Sequence, residues 1–198
     1  MPRLLCPICQ RPKATCICQF IAKVENDVLI IVLLHPSEVK QSKGTLPLLA
    51  NALSRCIVIE GENFSHNDQL NHLLAQYGQQ AALLYPSEQS VNLSRLTQSA
   101  NTQNIHCLIL LDATWKKAYR MYMLSENLQH IQHVTLPGDL LGQYHIRKTS
   151  KKNGLSTLEA CCYALQIVEQ APNKYQNMLD KFVEFNHFQL SFRPNKDA

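Results

Sequence analysis

His106-Cys-Leu-Ile-Leu-Leu-Asp-Ala-Thr-Trp-Lys-Lys-Ala-Tyr-Arg-Met-Tyr122 is a short apolar run that ends abruptly on polar and aromatic residues. Residues 107–111 are almost uniformly apolar and too few for a helix. They predict a strand buried on both faces, as in a parallel sheet covered by helices. Asp112 then stands at the carboxyl end of that strand, and a helix begins at about Trp115. Open α/β sheets bind ligands in the crevice at the carboxyl ends of their strands. Asp112, Thr114 and Trp115, the only tryptophan of the chain, are therefore grouped where a site is expected. Each also has a plainer explanation: Asp112 or Thr114 would cap the helix by accepting a backbone N–H, and Trp115 would anchor the core.

Outward from this stretch the chain alternates strand-like runs with helical ones, the pattern of crossover connections and a mainly parallel sheet. Strands are expected at 28–34, 56–59, 81–85 and 133–136. Leu46, Leu49, Ala50 and Leu53 share one helical face, as do Leu70, Leu73 and Leu74 of a helix over 68–77 closed by Gly78. A last amphipathic helix is expected over about 173–190. Two strands end alike, in His35-Pro-Ser-Glu38 and Tyr85-Pro-Ser-Glu88; this is either shared turn chemistry or two loops lining one crevice.

The 198 residues suit one domain with a full-sized core. Hydrophobic content of 45% and charged content of 17% argue against extensive disorder. A net charge of +4 is compatible with a nucleic-acid partner without demanding one. No apolar run approaches the roughly 20 residues needed to cross a bilayer, and Met-Pro-Arg-Leu-Leu-Cys lacks the long apolar region of a secretory signal. A soluble cytoplasmic protein is expected, with thiols or metal ligands rather than disulfides.

Four of the eight cysteines, Cys6, Cys9, Cys16 and Cys18, fall within thirteen residues. Cys-x-x-Cys lets two thiolates of one turn face the same ion, so a structural zinc site is expected over 1–22, ahead of one α/β domain over 23–198. A redox pair or two short disulfides are the alternatives. Four cysteines fill the coordination sphere, so such a metal would hold structure and would not activate water.

Between Leu136 and Gly154 lies a long irregular segment with Tyr144, His145, Arg147, Lys148, Lys151 and Lys152. Long loops inside compact domains are often functional, and this one joins an aromatic to basic side chains. It enters a helix at Leu155-Ser-Thr-Leu-Glu-Ala160, where Ser156 and Glu159 have the spacing of a capping box. The helix start behind a basic loop favours anions or carboxylates; a solvated loop and an ordinary cap are the plainer explanation.

Taken in order, the N-terminal cysteines, His35-Pro-x-Glu38, Leu84-Tyr-Pro-Ser-Glu88, Asp112-Ala-Thr-Trp115, and Tyr144-x-x-Arg-Lys148 followed by Leu155-Ser-Thr-x-Glu-Ala160 resemble the landmarks of the DTW-domain family. One departure is Lys43-Gly44-Thr45, where the family usually has an Asn-Thr pair. The resemblance implies a fold like that of the SPOUT enzymes, an α/β sheet of five or six strands with a C-terminal trefoil knot. It implies transfer of the 3-amino-3-carboxypropyl group of S-adenosylmethionine to N3 of a uridine in tRNA, with release of methylthioadenosine. Alternatives are an RNA methyltransferase on the same scaffold and a non-catalytic, zinc-stabilised RNA-binding module. The family likeness makes Asp112, Thr114 and Trp115 the catalytic candidates. Asp112 would take the N3 proton, orient the substrate or bind the cofactor's ammonium. Tyr85, Pro86, Ser87, Leu111, Leu136, Tyr144, Arg147, Ser156 and Thr157 are the expected cofactor contacts, and Lys148, Lys151 and Lys152 the expected RNA contacts. A monomer is favoured.

Overall fold

The computed structural model describes residues 4–9, 11–39, 41, 44–98, 105–138 and 154–192. Among these residues six strands, β1 (Leu29–Leu34), β2 (Cys56–Glu60), β3 (Ala81–Leu84), β4 (Val91–Asn92), β5 (Cys107–Asp112) and β6 (Gln132–Thr135), form one sheet in the order β2-β1-β5-β3-β6-β4. Every pairing is parallel, as the runs of apolar residues required. Strand β5 lies between β1 and β3, with Leu34 opposite Asp112 in register.

Among the described residues seven α-helices accompany the strands: α1 (Leu46–Ala52), α2 (Asp68–Tyr77), α3 (Leu93–Gln98), α4 (Trp115–Leu124), α5 (Glu126–Gln129), α6 (Thr157–Val168) and α7 (Gln176–Ser191). Successive side chains of a strand point to opposite faces, and β1 divides accordingly. Ile30, Val32 and Leu34 pack in the layer built by α1, α6 and α7. Leu29, Ile31 and Leu33 pack in the layer that contains Leu70 of α2, Met121 of α4 and Leu128 of α5. The sheet is thus covered on both sides.

Helix α2 starts where Asn67 accepts the Leu70 N–H and stops at Gly78, whose φ of 52° ends the helix without steric cost. Four elements differ from expectation. Two-residue β4 and short α3 fall between the strands expected at 81–85 and 107–111, and α5 follows α4 directly. The last helix begins at Gln176, after a turn, rather than near residue 173. Whether the chain is knotted depends on the path of 139–153, which lies outside the described residues. Ile17 and Phe20, next to the cysteine cluster, belong to the α1/α6/α7 layer, and Phe20 meets Phe185 and Phe188 of α7 at 5.8 and 5.1 Å between ring centres. Among the described residues no helix is long and apolar enough to cross a membrane.

Candidate active site and metal centre

The carboxyl ends of β1, β5, β3 and β6, the four inner strands, open into one crevice of about 830 Å³. Asp112 enters it as the last residue of β5. Its Oδ1 accepts a 2.6 Å hydrogen bond from the Thr157 hydroxyl, at the first position of α6. Thr157 is held there by a capping box: the Ser156 hydroxyl accepts the Glu159 N–H at 3.2 Å, and Glu159 Oε2 accepts the Ser156 N–H at 2.8 Å. Glu159 is completely buried, with Oε2 satisfied at the helix start.

The wall beside Asp112 comes from the turn after β1. The His35 N–H donates to the Asp112 carbonyl at 3.2 Å. Nδ1 of His35 accepts the Ser37 N–H and caps the tight turn 36–38, leaving the ring proton on Nε2, which faces Glu62 at 3.4 Å. Glu38 is thereby brought to the crevice with its side chain only 8% exposed, and Lys117 of α4 approaches its Oε1 at 3.3 Å. Lys117 also contacts the Ser37 hydroxyl. The sequence marks Glu38 as part of a strand ending shared with Tyr85-Pro-Ser-Glu88 and as a family landmark, but its partner stands 79 positions away, so the ion pair is visible only in the fold.

Of the residues expected at the site, Tyr85, Pro86, Leu111, Asp112, Thr114, Trp115, Leu136, Ser156 and Thr157 all line the crevice. Ser87 is not among them: its hydroxyl is 2.6 Å from Nδ1 of buried His133, whose Nε2 donates to the Leu128 carbonyl at 2.8 Å. Ser87 thus braces the end of β3 against β6. The Tyr85 ring lies under α4, stacked on Tyr122 at 5.0 Å, and burial together with neighbouring Tyr119 and Tyr122 holds its phenol above the usual range. Thr114 stands at the N-cap of α4 without a side-chain cap bond, and Trp115 is 52% exposed, so neither plainer explanation describes these two residues. Tyr144, Arg147, Lys148, Lys151 and Lys152 lie outside the described residues.

At the N-terminus the sulfurs of Cys6, Cys9, Cys16 and Cys18 all lie within 4.8 Å of one another. Cys6 and Cys18 are 3.6 Å apart, Cys9 and Cys16 3.8 Å. A tetrahedron with zinc–sulfur bonds of about 2.3 Å has edges of about 3.8 Å, whereas a disulfide needs about 2.05 Å, so the cluster fits a metal. The Cys9 and Ile8 N–H groups directed at Cys6 sulfur pull its thiol down to about 6, which favours a thiolate ligand. Within the same cluster, burial and the neighbouring sulfurs push Cys18 up to about 12, and burial above all takes the packing thiols Cys107 and Cys162 to the same level.

Comparison with known proteins adds a family. Residues 3–190 match the family model described as DTW domain. The chain is 30% identical over 190 residues to tRNA-uridine aminocarboxypropyltransferase 2 of Drosophila melanogaster, covering 93% of this chain and 74% of that protein. It is 28% identical over 191 residues to the Macaca fascicularis protein of the same name, covering 93% of this chain and 63% of the relative. For the Mus musculus protein of that name the identity is 27%, with the same coverage of 93% and 63%. The relatives are therefore longer than the matched region. No solved structure matches significantly.

Proposed function

The chain belongs to the DTW-domain family, and from that premise we propose that it is a tRNA-uridine aminocarboxypropyltransferase using S-adenosylmethionine as donor. The observation that carries the proposal is Asp112, fixed by Thr157 inside a crevice at the carboxyl ends of the inner strands. Ligand pockets run from roughly 300 to 1,000 Å³; this one, at about 830 Å³, has room for a nucleoside donor and an extruded base together.

A sulfonium activates all three carbons bonded to sulfur, so the product depends on which carbon is held in line with the nucleophile. In the proposed reaction a bond forms between uridine N3 and the γ-carbon of the aminocarboxypropyl group. The carbon–sulfur bond breaks, its electron pair staying on sulfur, and methylthioadenosine leaves. The N3 proton goes to Asp112, which the Thr157 hydroxyl keeps in one orientation. The first turns of α4 and α6 both open on the crevice, and their N–H groups favour the donor's carboxylate. Glu38, already seated against an ammonium on Lys117, is suited to the donor's amino group. Arg147 is assigned the donor carboxylate or an RNA phosphate, and Tyr144 a stacking role. Lys148, Lys151 and Lys152 are assigned to phosphates. Zinc held by Cys6, Cys9, Cys16 and Cys18 would supply structure only.

The small-molecule product tests the reaction type. Turnover with tRNA should release methylthioadenosine; S-adenosylhomocysteine would instead identify an RNA methyltransferase. Calorimetry with S-adenosylmethionine should give heat of binding, and no heat would favour a non-catalytic RNA-binding module.

A further inference from the structure

Helix α4 buries one face and exposes another to solvent. Ala118 and Met121 are buried beneath it, whereas Trp115, Tyr119 and Met123 are 52%, 57% and 51% exposed. Their four-residue spacing makes them neighbours along one stripe, which extends about 12 Å at 1.5 Å per residue. Lys116 and Arg120 repeat that spacing one position on, so a cationic row runs beside the apolar one. The helix contains three cations and no carboxylate. Lys117 turns inward to Glu38, and Lys116 has no ion-pair partner among the described residues. Arg120 meets Glu62 at 2.8 Å on the surface, where a pair is worth little and exchanges readily. The stripe begins at the crevice, because Trp115 also lines it.

We infer that the exposed face of α4 carries the RNA strand leading to the target uridine, with bases stacked on Trp115 and Tyr119 and phosphates met by Lys116 and Arg120. Aromatic side chains interleaved with cations form the usual platform for single-stranded nucleic acid. A second copy of the chain suits this face less well. A two-fold interface would bring the same patch together and oppose two cationic rows, and interface cores are depleted of charge.

The inference rests on the transferase proposal, but tRNA affinity reads it without turnover. In the full chain, Tyr119→Ala should weaken tRNA binding roughly ten-fold, and Tyr119→Phe, which keeps the ring, should restore it. Lys116→Ala with Arg120→Ala should reduce the slope of log affinity against log salt by about one to two. S-adenosylmethionine affinity and kcat at saturating tRNA should be unchanged in all three. Wild-type tRNA affinity and salt dependence in the alanine variants would overturn the inference, as would a monomer–dimer equilibrium that shifts while RNA binding does not. If the wild-type protein bound tRNA through this face but made no aminocarboxypropyluridine, the transferase proposal alone would fail.

Discussion

At the scale of single residues the decisive contact is the 2.6 Å bond from Thr157 to Asp112, which joins β5 to α6 across 45 positions of sequence. Two variants separate proton removal from placement. Asp112→Asn retains shape and hydrogen-bonding capacity but is a very poor proton acceptor. It should be as inactive in single-turnover assays as Asp112→Ala, with tRNA binding within a few-fold of wild type. An Asn variant near wild-type activity would assign Asp112 to placement. Thr157→Val keeps the side chain's shape and removes the donor. A hydrogen bond to a charged group contributes about 1.5–3 kcal/mol, so the rate should fall roughly ten- to hundred-fold. An unchanged rate would show that the hydroxyl does not orient the carboxylate. Asp112 was legible as a site residue because an apolar run ending on a carboxylate is a local signal. Its partner was not legible, since nothing local ties Thr157 to it. The same holds for Ser87, whose bond to His133 spans 46 positions.

Among the elements, the start of α6 carries the strongest coupling between local sequence and site geometry. Ser156 and Glu159 close a capping box, and the residue between them that reaches Asp112 is Thr157. Ser156→Ala should destabilise the protein by roughly 1–2 kcal/mol, read as a lower urea midpoint, and should reduce activity by disturbing Thr157. Ser156→Thr, another good cap, should recover both. An alanine variant with wild-type stability would show that the box does not hold the helix start. The box could be read in the sequence because its signal is a three-residue spacing, and so could α2, which lies between Asn67 and Gly78 as its cap residues require. The edge strand β4 was missed because two residues carry no period, and α3 because six residues make fewer than two turns. In α4 both the buried and the exposed face carry apolar or aromatic residues, so the pattern alone does not say that Ala118 and Met121 go inward while Trp115 and Tyr119 stay out.

For the whole molecule, parallel order was legible from the evenly apolar strands, while the position of β5 between β1 and β3 required the fold. That position gathers the loops after four strands into one crevice. The cysteine cluster lies apart from it and packs through Ile17 and Phe20 onto the layer that holds α6 and α7. Replacing Cys6 and Cys9 by Ser should therefore release zinc, measurable by metal analysis, and increase hydrogen exchange in α7 as well as near the cysteines. Metal-free wild-type protein of undiminished stability would contradict a structural zinc. The central claim is chemical, and nucleoside mass analysis of tRNA incubated with the protein and S-adenosylmethionine tests it most directly. The expected result is a uridine heavier by one 3-amino-3-carboxypropyl group, absent with Asp112→Ala; a methylated nucleoside, or unmodified tRNA despite bound S-adenosylmethionine, would contradict it.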